Sequence, residues 1–285
     1  MSYVIIANAA AGSTDRVEAA ARVLDEAAGA EIVWTEGPDD IDRVIEGDDR
    51  RLVLAGGDGS IHLLVNRLVA TDSLERPVGV LPMGTGNDLA RGLRLPFDPE
   101  EAARWVLAGH PRRLPLLEAP DGEVGANNAH AGLGVAAARR GTEWKDRLGS
   151  FAYTAGSLAE GLTYDGMDVE VRVDDSLFHA GPSLVVMLLI GPSAGGGLRP
   201  LDDVEVAEPI VDVLVIEAGG AAERGGLAFA ALRGELGDHE AARHVRATRV
   251  EVTAGGEEWE LDGEFRTWPD PVRFSLFSRR WSVLA

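Results

Sequence analysis

Residues 53–60 read Val53-Leu54-Ala55-Gly56-Gly57-Asp58-Gly59-Ser60. An apolar run ends in three glycines packed around one carboxylate. The run reads as a strand, and Ile61 to Val69 behind it reads as a helix. Glycine permits φ > 0 and lets the backbone approach a ligand closely. Amides at a helix start point outward and favour an anion, so this turn suits phosphate, with Gly56, Gly57, Gly59 and Ser60 as its candidate holders. A carboxylate among phosphates repels them unless a cation lies between. Asp58 therefore reads as a group that meets Mg²⁺, directly or through water, or that takes a proton from an attacking hydroxyl. The plainer alternative is a tight strand-to-helix turn with Asp58 as an ordinary cap.

A second turn of the same kind follows. Leu81 to Arg91 reads LPMGTGNDLAR. A strand again ends in Gly-x-Gly, then Asn87 and Asp88, then a helix. Thr85 and the amides of Gly84 and Gly86 can hold phosphate oxygens beside Asn87, and Asp88 can share a cation with Asp58. Two such turns on neighbouring strand ends form one cradle for phosphate and metal.

The surrounding pattern sets the fold class. Tyr3 to Ala7, Glu31 to Thr35, Leu52 to Ala55 and Val78 to Leu81 read as strands. Helical patterns run between them, the first capped by Ser13 and carrying Val17, Ala20, Ala21 and Leu24 on one face. Ile41, Val44 and Ile45 mark a short helix, and Pro99 to Leu107 another. Strand alternating with helix implies a parallel sheet covered on both faces, with ligands at the carboxyl ends of its strands. Those ends hold Asn8 and the two glycine turns. After about Arg112 the runs become strand-like: Val169 to Val173, Leu184 to Ile190, Val211 to Glu217, Thr248 to Thr253 and Val272 to Phe277. One helix is expected near Ser150 to Leu162. The prediction is an α/β domain over 1–111 and a mostly β domain over 112–285, the last strand free to return to the first domain.

Composition narrows the function. The 285 residues carry a formal net charge of −20, and Lys145 is the only lysine among 27 basic residues. Such a surface repels nucleic acid and excludes it as a partner. It also fits a salt-rich cytosol, where screening removes self-repulsion, or simply an arginine-biased genome. No apolar run reaches the length of a membrane span. The N-terminus lacks the basic region and cleavage site of a signal peptide, and there is no cysteine, so a cytoplasmic location is expected. No G-x-x-x-x-G-K-[ST] is present, so backbone and arginines must hold any phosphates. Gly132 to Ala137, GLGVAA, reads as close backbone packing. His239 and His244 read as solvated rather than as metal ligands. No serine sits in a G-x-S-x-G elbow.

With these motifs the chain resembles the diacylglycerol kinase catalytic-domain family, which includes bacterial lipid kinases and sphingosine kinases. GGDGS alone is shared with NAD kinases and phosphofructokinases; LPMGTGNDLAR is far more specific. NAAAGS at Asn8 to Ser13 stands where the family has an Asn-Pro-x-x-Gly nucleotide loop. NNAHAGLG at Asn127 to Gly134, GPSAGGGLRP at Gly191 to Pro200 and LDGE at Leu261 to Glu264 resemble its later motifs. The resemblance implies a phosphofructokinase/NAD kinase-like first domain, a β-sandwich second domain, and ATP in the cleft between them. It implies that Asn8 and Ser13 join the nucleotide site, that Asp58 and Asp88 belong to the phosphate and Mg²⁺ network, and that Glu264 lies beside the nucleotide. Either Asp262 or Asp58 would be the base acting on a lipid hydroxyl. The sequence departs from the pattern at Ala9, at His62-Leu63 where Asn-Glu is frequent, at Arg67, and at Ala207 to Asp212, where some members bind a structural cation.

The implied partner is a membrane lipid, met through transient contact at the membrane surface. Arg139 to Arg147, with Trp144, and Arg91 to Phe97 are candidate contacts; both can equally be solvated basic turns. A soluble kinase acting on NAD or a sugar phosphate, and a silent nucleotide- or lipid-binding protein, stay open. Oligomeric state is unreadable, and a homodimer stays open too.

Overall fold

The computed structural model describes residues 2–9, 14–139, 164–220, 226–227, 230 and 235–285. In its first part, strands β1 (Tyr3–Asn8), β2 (Ala30–Thr35), β3 (Arg51–Gly56) and β4 (Val78–Pro82) alternate with helices α1 (Thr14–Ala28), α2 (Pro38–Gly47), α3 (Asp58–Ala70), α4 (Asp88–Gly92) and α5 (Pro99–Ala108). The four strands run parallel in the order β2-β1-β3-β4. Successive side chains of a strand point to opposite faces. Val4, Ile6, Leu52 and Leu54 therefore pack against Ile61, Leu64 and Leu68 of α3. Tyr3, Ile5, Val53 and Ala55 pack on the other side against Val17, Ala20 and Leu24 of α1 and Val106 of α5. Burial of both faces is why these strands read as unbroken apolar runs.

The first sheet is finished from far along the chain. Strand β5 (Pro111–Leu114) forms its edge, and β17 (Trp281–Leu284) lies between β4 and β5, parallel to the former and antiparallel to the latter.

The second sheet is antiparallel. It comprises β6 (Leu117–Glu118), β7 (Val124–Gly125), β8 (Asn128–Gly132), β9 (Met167–Val173), β10 (Ser176–Leu189), β11 (Val211–Glu217), β12 (Ala242–Ala247), β13 (Arg249–Thr253), β14 (Glu258–Leu261), β15 (Glu264–Thr267) and β16 (Val272–Leu276). Its order is β15-β14-β8-β10-β9-β13-β16-β6-β7, with β11 and β12 branching from β10. Val171, Val186, Val213 and Val250 fill its core around Trp259 and Phe274, whose rings lie 4.9 Å apart.

Three expectations need amendment. Strand β10 starts at Ser176, not Leu184, because its first half, broken by Gly181 and Pro182 and mostly exposed, has no strand-like alternation yet pairs with β9 through its backbone. His244 is not simply solvated: it lies on β12, and its Nε2 is 2.8 Å from Oδ1 of the buried Asp212. In the Arg91 to Phe97 segment, Leu93 and Leu95 are core residues, so only Arg91, Arg94 and Phe97 are exposed. Ser13, Lys145, the helix expected over 150–162 and all but Arg139 of the basic stretch lie outside the described residues.

Candidate active site

The two glycine turns sit at the carboxyl ends of neighbouring parallel strands, β3 and β4. They touch through bare backbone. A Cβ on Gly57 would lie 2.8 Å from the Gly84 Cα, so side chains at this contact would push the turns apart. Asn87 closes the second turn from a left-handed conformation, φ 54°. Its Oδ1 accepts from the Gly84 amide at 2.9 Å and its Nδ2 donates to the Gly84 carbonyl at 2.6 Å. Asn87 thus acts first as the fastener of the turn, and Thr85 is left exposed at its tip.

Asp58 opens α3 and Asp88 opens α4. Each has a buried Oδ1 with no hydrogen-bond partner. Burial, and after it the charge of Asp88, pushes the Asp58 carboxyl up to about 6. Burial raises Asp88 as well. The other oxygen of Asp88 accepts from the Gly196 amide at 2.8 Å. Gly195, Gly196 and Gly197 all have positive φ, at 60°, 87° and 120°, which lets the Gly-Gly-Gly hairpin of the β-rich part bend onto the α/β part. Ser193 adds a hydrogen bond to the Asp88 carbonyl at 3.0 Å.

The LDGE turn reaches the same place from β14 and β15. Asp262, at φ 50°, is buried. It accepts from the amides of Ala126, Asn127 and Asn128, the last two at 3.0 Å each. Its Oδ2 lies 3.5 Å from the His62 Nδ1. Its charge also bears on Asp58. Glu264 is half exposed, 3.8 Å from Arg266 and facing Gly59 across the cleft. Gly56 and Ser60 lie in the first turn, and Asn8 is exposed at the carboxyl end of β1.

Several residues near the carboxylates carry no local sequence signal. Glu260 is pushed up to about 7 by burial first, then by Asp262, Asp88 and Glu264. It pairs in register with His130, whose ring burial pushes down to about 4. Glu123 joins Arg266 to His62: Arg266 Nε donates to its Oε2 at 2.7 Å, and the His62 Nε2 is 2.9 Å from its Oε1. The sequence offers His62 only as a departure from a family pattern, because both partners arrive from distant strands.

The unpartnered oxygens of Asp58 and Asp88 fit a divalent cation. They are hard donors, buried, and mutually repulsive without one. Among the described residues no set of three or more acidic or histidine side chains forms a complete cage.

Comparison with known proteins gives the chain a family. Residues 2–119 match the diacylglycerol kinase catalytic domain, and residues 127–284 match the YegS C-terminal NAD kinase beta sandwich-like domain. A diacylglycerol kinase of Bacillus subtilis is 30% identical over 225 residues, covering 75% of this chain and 71% of its own length. That of Staphylococcus epidermidis is 26% identical over 234 residues, covering 79% and 71%. In fold, a putative diacylglycerol kinase from Bacillus anthracis superposes with a TM-score of 0.82 at 20% identity, over 99% of this chain and 94% of that one. An NAD kinase from Archaeoglobus fulgidus, solved in complex with ATP, gives 0.57 at 15% identity, over 99% and 93%. The chain belongs to the diacylglycerol kinase catalytic-domain family. That family is one of kinases and implies use of ATP. Among the described residues no helix is long and apolar enough to cross a membrane.

Proposed function

We propose that the protein transfers the γ-phosphoryl group of ATP to the hydroxyl of a diacylglycerol-like membrane lipid. The observation that carries this reading is the pair of buried, unpartnered oxygens on Asp58 and Asp88, set between two glycine turns and closed over by the Gly-Gly-Gly hairpin. Amides of the turns and Thr85 hold the phosphate chain, and Asn8 and Glu264 lie beside the nucleotide. Asp58 and Asp88 would hold Mg²⁺, which would supply neutralisation of charge on the transferring group.

Of the two candidate bases, Asp58 is the better placed. Three amides already donate to the oxygens of Asp262, whereas Asp58 Oδ1 accepts from nothing. Asp58 receives the hydroxyl proton as the oxygen attacks. Asp262 keeps the loop before β8 in place. The lipid reading rests on the relatives named diacylglycerol kinase, at up to 30% identity, rather than on the NAD kinases, whose 15% identity speaks for the fold alone. The protein would meet its lipid from the cytoplasm by transient surface contact, with Arg91, stacked 5.0 Å over the exposed Phe97 ring, beside Gly197 of the hairpin.

The test is purified protein with labelled Mg²⁺-ATP in high salt, offered diacylglycerol in mixed micelles and, separately, NAD and sugar phosphates. Labelled lipid is the expected product. Label only in the soluble acceptors makes the protein a soluble kinase, and nucleotide binding without turnover makes it a silent binder; either outcome overturns the proposal.

A further inference from the structure

His62 lies in the first turns of α3, four residues after Asp58, and its ring is buried. Each ring nitrogen faces a carboxylate. Nε2 is 2.9 Å from Glu123 Oε1 and Nδ1 is 3.5 Å from Asp262 Oδ2. A neutral imidazole has one N–H and one lone pair. It could donate to one of these acids but would turn its lone pair on the other. In a buried site that is repulsion without water to relieve it. A doubly protonated ring donates to Glu123 and sets its charge 3.5 Å from Asp262, where no hydrogen bond forms and the attraction is of charge alone.

The surroundings agree. Glu123, Asp262, Arg266 and a protonated His62 are two anions and two cations, neutral as a set. Asn66, one turn along α3, donates its Nδ2 to the carbonyls of His62 and Val124 at 2.9 Å each; the same nitrogen lies 3.5 Å from the His62 Nε2, a longer contact than the 2.9 Å from that ring nitrogen to Glu123. On the β14–β15 side the further groups are Glu264, beside Arg266, and Glu260, whose carboxyl feels the charge of Asp262 and is pushed up to about 7 by burial first. On the hairpin side it is Asp121, which also acts on Arg266. Asp42 of α2 meets the far end of α3 through Arg67. Asp58 precedes His62 on its own helix and adds another anion. Burial alone would lower the imidazole's affinity for its proton; Asp262 and Glu123 outweigh burial and raise it.

We propose that His62 is a positioning residue held as an imidazolium, a charged strut that ties α3 to the β6–β7 hairpin and to the LDGE turn across the cleft. The strut fixes Asp262, and with it the start of β15 and Glu264, against the glycine turns. It touches no reacting atom. Because the folded protein holds the proton more tightly than an unfolded chain does, the strut's contribution is complete below the ordinary histidine pKa and is lost as pH rises through the folded value. Rising pH then loosens the cleft without touching Asp58. The link to catalysis rests on the kinase reading; the protonation state does not.

The test is NMR of the ligand-free protein labelled with ¹⁵N in its histidines, with His62 assigned by difference from His62→Asn. The expected result is two protonated ring nitrogens on His62 at pH 7.5, where an ordinary histidine is neutral. Glu123→Gln should move the His62 midpoint down by about one unit or more, as loss of a neighbouring charge requires. It should move the alkaline limb of kcat/KM by the same amount. This variant also identifies the His62 signal if His62→Asn does not fold. One protonated and one bare nitrogen at pH 7.5 overturns the proposal, whatever the activity. An alkaline limb that stays in place while the midpoint moves overturns the link to the cleft. Absence of any lipid product alongside an imidazolium signal would sink the kinase reading and leave the strut standing.

Discussion

At the GGDGS turn Asp58 keeps a buried oxygen without a hydrogen-bond partner, whereas at the LDGE turn Asp262 takes three backbone N–H groups and faces an imidazole. Both acids belong to one cleft. Leaving a buried acceptor unpaired costs about 1–3 kcal/mol, and more when it is charged. A position selected for stability alone fills the gap, as at Asp262. A position kept for a ligand would leave it open, and at Asp58 and Asp88 one oxygen of each carboxylate is left open. On the proposed function the same residue type serves as a fastener in one turn and as a reagent in the other.

The contrast makes opposite demands on two asparagine variants. Asp58→Asn should cut phosphoryl transfer by about 10³-fold, within the range for loss of a general base. It should leave the melting temperature unchanged or higher, because it removes repulsion with Asp88. Asp262→Asn should instead lower unfolding free energy in urea by about 3 kcal/mol, since it breaks charge-assisted bonds to buried amides. Asp58→Asn proving the more destabilising of the two would break the comparison outright.

Glu260 extends the Asp58 side of the contrast. Its carboxyl is pushed up to about 7 by burial and by three neighbouring acids. A carboxyl raised on folding contributes stability that is complete below its unfolded pKa and is lost as pH rises through the folded value. The ligand-free protein should therefore lose roughly 2–3 kcal/mol of stability from this group between about pH 4 and pH 8. Thermal melts across that range check it: Glu260→Gln should flatten the decline, and identical slopes would exclude Glu260 as its source.

Smaller effects test the scaffold. Gly57→Ala places its Cβ against the Gly84 Cα at 2.8 Å, a backbone neighbour with little freedom to retreat. It should cost about 1–3 kcal/mol and weaken ATP-analogue binding measured by calorimetry, because the turns separate. Arg67→Ala removes a partly exposed pair with Asp42. Such pairs contribute about 0–1 kcal/mol, so a change in melting temperature at the limit of detection is expected.

Much of the first domain was legible because its signals are local. Unbroken apolar runs mark strands covered on both faces, and glycines beside an acid mark strand ends. Asp58 and Asp88 could be paired on paper, since each opens a helix after neighbouring strands. Asp262 could not be assigned, because its donors are Ala126, Asn127 and Asn128, more than a hundred residues away in sequence. His62 and Glu123 are silent for the same reason. Two-residue strands such as β6 and β7 leave no periodicity to read. The first half of β10 alternates too weakly, being exposed along most of its length.

The crossing between the two sheets is made twice. The chain passes from β5 to β6 and later returns from β16 to β17, and the two passages run side by side. Trp281 pairs with Leu114, Leu276 pairs with Leu117, and the Phe277 amide donates to the Leu116 carbonyl at 2.8 Å between them. A single linker would let the halves swivel in any direction. A hydrogen-bonded ribbon bends about one axis and resists torsion, so it acts as the pin of a door. An opening that keeps this ribbon paired would be a swing about it, the motion that would lift the Gly-Gly-Gly hairpin from Asp88 and set it back.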